Sequence, residues 1–195
     1  MSTNLESTTT RPRRPRWIED AERVDLAIYA AIARTPTPAL DVAMSRLSHA
    51  ANYSRLSLAS AALLALAGGA TGRRAAAHGL LAVGATSTVV NVAVKPVARR
   101  RRPDRLASEV PVARHIRMPT SRSFPSGHSA AAFAFATGVG HVSPAAGVPL
   151  RALAALVAYS RVHTGVHYPG DVVAGALIGS TLGQVTAHLG PSAGR

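Results

Sequence analysis

Three short stretches carry residue types that could do chemistry together. The first is Lys95, six residues, then Arg102-Pro103. The second is Pro125-Ser126-Gly127-His128. The third is Ser160-Arg161, five residues, His167, three residues, then Asp171. A phosphate monoester carries between one and two negative charges near neutral pH. Lys95, Arg102 and Arg161 can neutralise them, the arginine forks by bidentate contacts. Ser126 is placed to cap a helix starting near His128, where its O–H and the Gly127 N–H become donors to an anion. Gly127 has no Cβ, so the backbone can come close to the oxygens. Such a cradle would hold a transferring phosphoryl group through its transition state. On its own the Pro-Ser-Gly-His stretch reads more readily as an ordinary capped helix with a surface histidine, and it is the other two stretches that change this.

His167 is the candidate nucleophile. Asp171, four residues on and in the first turn of a helix, can accept a hydrogen bond from one ring nitrogen and leave the other lone pair for phosphorus. Asp171 also fits a plain helix cap and can do both jobs. His128 is the candidate general acid, protonating the leaving alkoxide and later activating water, help typically worth about 10²- to 10⁴-fold. The two rings need opposite protonation states although both start near pKa ~6.5. The expectation is that the carboxylate orients His167, while the helix setting and the bound phosphate tune His128. The fixed cations do the charge work and carboxylates are too few for a two-metal site, so no metal and no cofactor is expected. His163, four before His167, is expected at the pocket rim rather than as a ligand. His49, His78, His115, His141 and His188 read as structural or exposed. Arg99–Arg101, Arg114, Arg117 and Arg122 are either solvated or set against lipid headgroups.

Charge placement supports this choice of residues. The chain has 195 residues, net charge +13, nine acidic residues and no cysteine. Lys95 is the only lysine, and Asp171 the only acid after Glu109. Lysine is a point charge and arginine a planar fork, so a single lysine among arginines suggests a site that needs the former. The absence of cysteine excludes a disulfide framework and a thiolate metal site.

The elements that must position these residues are apolar and helical. Residues 1–17 read as a disordered basic tail, residues 18–190 as the folded domain and residues 191–195 as a second tail. Ile18–Ala33 is amphipathic at helical spacing and is stopped by Thr35-Pro36-Thr37-Pro38. A short helix follows over Ala39–Ser48. Uncharged stretches then run over Leu56–Gly72, Ala75–Val94, Ser123–Leu150, Ala152–Ser160 and Val172–Gly190. Several approach the ~20 residues of a membrane helix. With the tail inside, crossings alternate so that Arg73-Arg74 and Arg151 fall inside, in keeping with the positive-inside rule. All three chemical stretches then fall at helix ends on the outer face. The basic segment Lys95–Phe124 breaks the rule there, and anion binding supplies a reason. The first helix is the weakest crossing, because Arg23 and Asp25 lie within it.

Lys-x6-Arg-Pro, Pro-Ser-Gly-His and Ser-Arg-x5-His-x3-Asp, in this order, resemble the three motifs of the type 2 phosphatidic acid phosphatase (PAP2) superfamily, and match in residue type and spacing across Lys95–Asp171. The resemblance implies an all-α bundle of about five to six, mostly transmembrane, helices with its site at helix ends on one face. It implies the same residue roles and a phosphohistidine intermediate. The expected protein is a multi-pass phosphatase of the cell membrane with an extracytoplasmic site. Its partners would be the membrane and a lipid phosphate or diphosphate: phosphatidate, phosphatidylglycerol phosphate or a polyprenyl (di)phosphate. The motifs do not separate these substrates and are silent on oligomeric state. Vanadate-dependent haloperoxidases share this anion pocket but resemble larger, soluble proteins. A basic nucleic-acid-binding helical protein fits the charge, yet the arginines flank apolar spans and stacking aromatics are scarce, so no nucleic acid is expected. A catalytically dead scaffold is disfavoured because every motif residue is present.

Overall fold

The structure, a computed structural model, describes residues 15–189. The expected tail over residues 1–17 lies outside the described residues up to residue 14, and a helix already begins at Arg16; the expected tail over residues 191–195 lies wholly outside them. Among the described residues the chain is helical, with no strand. Seven helices follow in order: α1 (Arg16–Arg34), α2 (Pro38–Ala50), α3 (Arg55–Ala67), α4 (Gly69–Val97), α5 (Gly127–Val142), α6 (Pro144–His163) and α7 (Pro169–Leu189). One-turn 3-10 helices lie at Asn52–Ser54 and Val112–Arg114.

Three helices, α4, α6 and α7, are long and apolar enough to cross a membrane. Two further segments expected to cross, α3 and α5, have 13 and 16 residues, against the ~20 that a bilayer asks for. α5 packs against α4, α6 and α7, so protein rather than lipid surrounds much of it. Its alanines explain how: Ala130, Ala131, Ala134 and Ala136 are all buried, and small side chains let neighbouring backbones approach, which is how helices associate where lipid removes the hydrophobic drive. On α7, Gly175, Gly179 and Gly183 face α5 at intervals of one turn. A Cβ at Gly179 would stand 2.1 Å from the Ala130 carbonyl oxygen, so only glycine fits there.

Helix α4 is irregular over Val89–Val94, where it winds as a π-helix just before Lys95. Such widened turns tend to occur at functional sites, and Lys95 follows this one directly. Helix α1 exposes Val24, Leu26 and Ile28 while burying Asp25, Tyr29 and Ala33. The acid that made this helix a poor crossing is thus turned inward, toward protein partners.

Candidate active site

The C-terminal ends of α4 and α6 and the N-terminal ends of α5 and α7 meet at one end of the bundle, and the motif residues meet with them. Ser126 caps α5: its Oγ accepts from the Ser129 N–H at 3.4 Å and the Ser129 hydroxyl at 3.0 Å. The Ser126 N–H donates to the Asp171 carbonyl at 2.9 Å, which ties the start of α5 to the start of α7. Gly127 leaves the room expected of it, with the Lys95 Nζ only 3.4 Å from where a Cβ would sit. Lys95, Gly127 and His128 line one cavity of about 230 Å³.

His167 is buried, and its ring is held at both nitrogens. Nδ1 lies 3.4 Å from Asp171 Oδ2, and Nε2 lies 3.1 Å from Arg102 Nη1. A guanidinium offers only donors, so Nε2 is the acceptor and the proton sits on Nδ1, facing the carboxylate. Burial pushes the His167 pKa down to about 4; the Arg102 and Arg161 charges act the same way, and Asp171 pulls against them. The ring is neutral at physiological pH, with its lone pair turned toward the cations. Asp171 is fully buried and also accepts from Ser123 Oγ, the Tyr168 N–H at 3.0 Å and Arg100 Nη1 at 2.9 Å.

The three site cations differ from Arg100 and Arg114. Arg161 is 1% exposed; its Nη1 donates to Ser48 Oγ at 2.6 Å, while its buried Nε meets no partner among the described residues. Arg102 donates to the Ser121 and Val166 carbonyls at 2.8 and 2.7 Å. Lys95 reaches Ser121 Oγ at 3.4 Å. Among the described residues none of the three is within ion-pair distance of a carboxylate, whereas Arg100 and Arg114 are. The charges of Arg161, Lys95 and Arg102 all act on the His128 ring. An uncompensated cluster of this kind, with an orphan N–H inside it, is arranged for an anion.

Several neighbours carry no motif. His128 Nε2 lies 3.0 Å from Asn52 Oδ1, so Asn52 holds the ring of the candidate acid. Asn52 stands in the α2–α3 turn, where Tyr53 and Ser54 both take φ 55°, a left-handed conformation that non-glycine residues adopt only when the surroundings enforce it. Ser121 and Ser123 come from the long loop before α5. Arg100 bridges Asp25 and Asp171 and lies 4.2 Å over the Tyr168 ring. These residues are spread over four segments, and no spacing relates them to the motifs.

Three expectations are corrected, beginning with Arg100, which pairs with Asp25 and Asp171 rather than standing in solvent or against lipid headgroups. His163 is not at the pocket rim: it is 2% exposed and its Nε2 meets Asp41 Oδ1 at 2.9 Å. Arg114 meets neither solvent nor lipid: it is fully buried, pairs with Asp41 at 2.7 Å and donates to the Ile32, Ala33 and Thr35 carbonyls at the end of α1. Burial alone would raise the Asp41 pKa, but hydrogen bonds from Thr37, His163 and Arg114 hold it below the ordinary carboxylate range. This group locks the loop to α1, α2 and α6, and needs its charges for that.

Comparison with known proteins agrees with the geometry. The family model described as the PAP2 superfamily matches residues 76–195. A decaprenylphosphoryl-5-phosphoribose phosphatase of Mycolicibacterium smegmatis is 36% identical over 167 residues, covering 81% of this chain and 84% of that protein. The phosphatase of the same name from Mycobacterium tuberculosis is 37% identical over 102 residues, covering 52% of this chain and 54% of that protein. In that match the chain spans about half the length of its relative. Among solved structures, LpxE of Aquifex aeolicus superposes with a TM-score of 0.68 at 28% identity, covering 84% of this chain and 94% of that one.

Proposed function

Because the chain belongs to the PAP2 superfamily, we propose that it is a membrane phosphatase that hydrolyses a lipid phosphate monoester or diphosphate. One observation carries the reading: three cations with no carboxylate in ion-pair range gather at the end of the bundle where a neutral histidine turns its Nε2 lone pair to one of them, Arg102. In the proposed reaction Arg102, Lys95 and Arg161 bind the phosphoryl oxygens, together with the Ser126 hydroxyl and the Gly127 N–H. Arg102 then exchanges its contact with Nε2 for the phosphate. His167 Nε2 attacks phosphorus, the bond from phosphorus to the leaving oxygen breaks, and His128 gives that oxygen a proton. Asp171 keeps the Nδ1 proton in place while the ring becomes positive. Water, deprotonated by His128, then attacks the phosphohistidine and releases inorganic phosphate. The relatives named for a decaprenyl-linked phosphate support a lipid-borne substrate. The arginines at 73, 74 and 151, all at the opposite end of the bundle, support an extracytoplasmic site at the cell membrane.

Purified protein in detergent, supplied with lipid and soluble phosphates, is expected to release phosphate and to form an acid-labile phosphoenzyme. His167→Ala should abolish both. Retained labelling in that variant would place the nucleophile elsewhere.

A further inference from the structure

We infer that the cavity beside His128 receives the leaving group, and that it selects an alcohol bearing further hydroxyls, a polyol or sugar, over a plain hydrocarbon alcohol. The inference rests on the phosphatase reading above and adds the chemistry of the leaving group. In an in-line displacement the leaving oxygen stands opposite the nucleophile and beside the acid. The cavity is lined by His128, Gly127 and Lys95, but by none of His167, Arg102 and Arg161. It therefore lies on the departing side of the phosphorus.

The far wall of this space is more polar than a hydrocarbon needs. Ser57, Thr86 and Asn91 all line it. Thr86 is fully buried, and its Oγ1 has no hydrogen-bond partner among the described residues. A helical threonine hydroxyl can satisfy itself on the carbonyl one turn back. Thr88 and Thr186 do so here, at 3.0 and 2.9 Å, and Thr86 does not. Asn91 donates its Nδ2 to the Ser87 carbonyl at 2.9 Å, which leaves its amide oxygen as an acceptor. A buried hydroxyl left unpaired is costly; a prenyl or acyl chain would leave it so, whereas a ligand hydroxyl would satisfy it. The volume, about 230 Å³, holds about eight water-sized groups at ~30 Å³ each, enough for a glycerol unit or one sugar ring.

Phosphatidylglycerol phosphate and phosphatidate test this directly, since with matched acyl chains they differ in whether a hydroxylated glycerol leaves. The wild-type protein in detergent should show a higher kcat/KM for the first. Thr86→Val, which keeps the shape and removes the hydroxyl, should reduce the ratio of the two kcat/KM values about tenfold, the scale expected when a site built to hydrogen-bond loses its partner. Thr86→Ser should keep the ratio. Sensitivity to Thr86→Val that extends to ribose 5-phosphate and glycerol 3-phosphate would place the recognition in the polyol alone; sensitivity confined to the lipid would require the tail as well. Both support the subsite. Equal kcat/KM for the two lipids, or a ratio that Thr86→Val leaves unchanged, would overturn it while leaving the phosphatase reading intact. No phosphate release from any substrate would instead remove the phosphatase reading.

Discussion

His167 shows how much a single neighbour can decide. Because Arg102 can only donate, its 3.1 Å approach to Nε2 fixes the tautomer before any substrate arrives. Burial, the largest influence, takes the ring to about 4, so protonation should begin well below the ~6.5 of an ordinary imidazole. At pH 5 an ordinary histidine is almost wholly charged and this one mostly neutral. In protein labelled with ¹⁵N-histidine and assigned with His167→Ala, the His167 ring nitrogens should titrate near pH 4; a midpoint near 6.5 would contradict the burial argument. At this scale the sequence offered its candidates directly, and the structure brings them to one end of the bundle. Lys95, Arg102, Ser126, Gly127, His128, Arg161, His167 and Asp171 could be chosen from type and spacing, and the single lysine and the isolated late acid stood out. Asn52, Ser123 and Arg100 could not be chosen, because each acts across more than 40 positions of chain, and nothing local distinguishes them.

Among the elements, α1 and α7 constrain the site most. Asp25 accepts from the Gly170 N–H at 2.6 Å and pairs with Arg100, which in turn donates to Asp171. Asp25→Asn keeps the shape but leaves the Arg100 charge to fall on Asp171 alone, weakening its hold on the His167 proton. A fall in kcat of about 10- to 100-fold is expected, the scale of a small misplacement at a reacting group, with KM little changed; kinetics with unchanged kcat would show that α1 is not coupled to the site. On α7, Gly179→Ala should force the helix away from α5, whose Ala130 oxygen leaves no room. Overpacking of this kind costs about 1–3 kcal/mol, read as a lower Tm together with lost activity, since His128 and Asp171 ride on these two helices. Gly84→Ala, where a Cβ would meet nothing within 4 Å, is the control and should be neutral. Helix existence was legible from apolar runs and prolines. The π-helical turn over Val89–Val94 was not, because it depends on how α4 is held by its neighbours rather than on local propensity.

Over the whole molecule, the basic character and the apolar surface act together. Exposed Leu58, Leu63, Leu66, Leu81, Val92 and Leu177 cover the flanks of the helices, as expected of a surface that faces lipid. The all-helical class and the meeting of the three motifs were legible from the alternation of apolar spans with polar helix ends. The inward turn of Asp25 was not, because a hydropathy pattern says nothing about which face of a helix finds a partner. The chain has no cysteine, so orientation can be read cleanly. A cysteine placed at exposed Arg117 should react with a membrane-impermeant maleimide added outside intact cells, and one at exposed Arg73 only after permeabilisation; the reverse pattern would put the site on the cytoplasmic side.

The placement of the cavity separates two kinds of inheritance. The groups proposed to make and break the bond stand on the turns opening α5 and α7, whose backbones touch and leave little room for change. The wall proposed to meet the departing alcohol belongs largely to α3 and α4, where side chains can differ without disturbing those turns, while Lys95, Gly127 and His128 face both. New substrates can therefore be acquired by altering that wall alone, and descendants of one ancestral hydrolase could diverge in diet while their reaction stays the same.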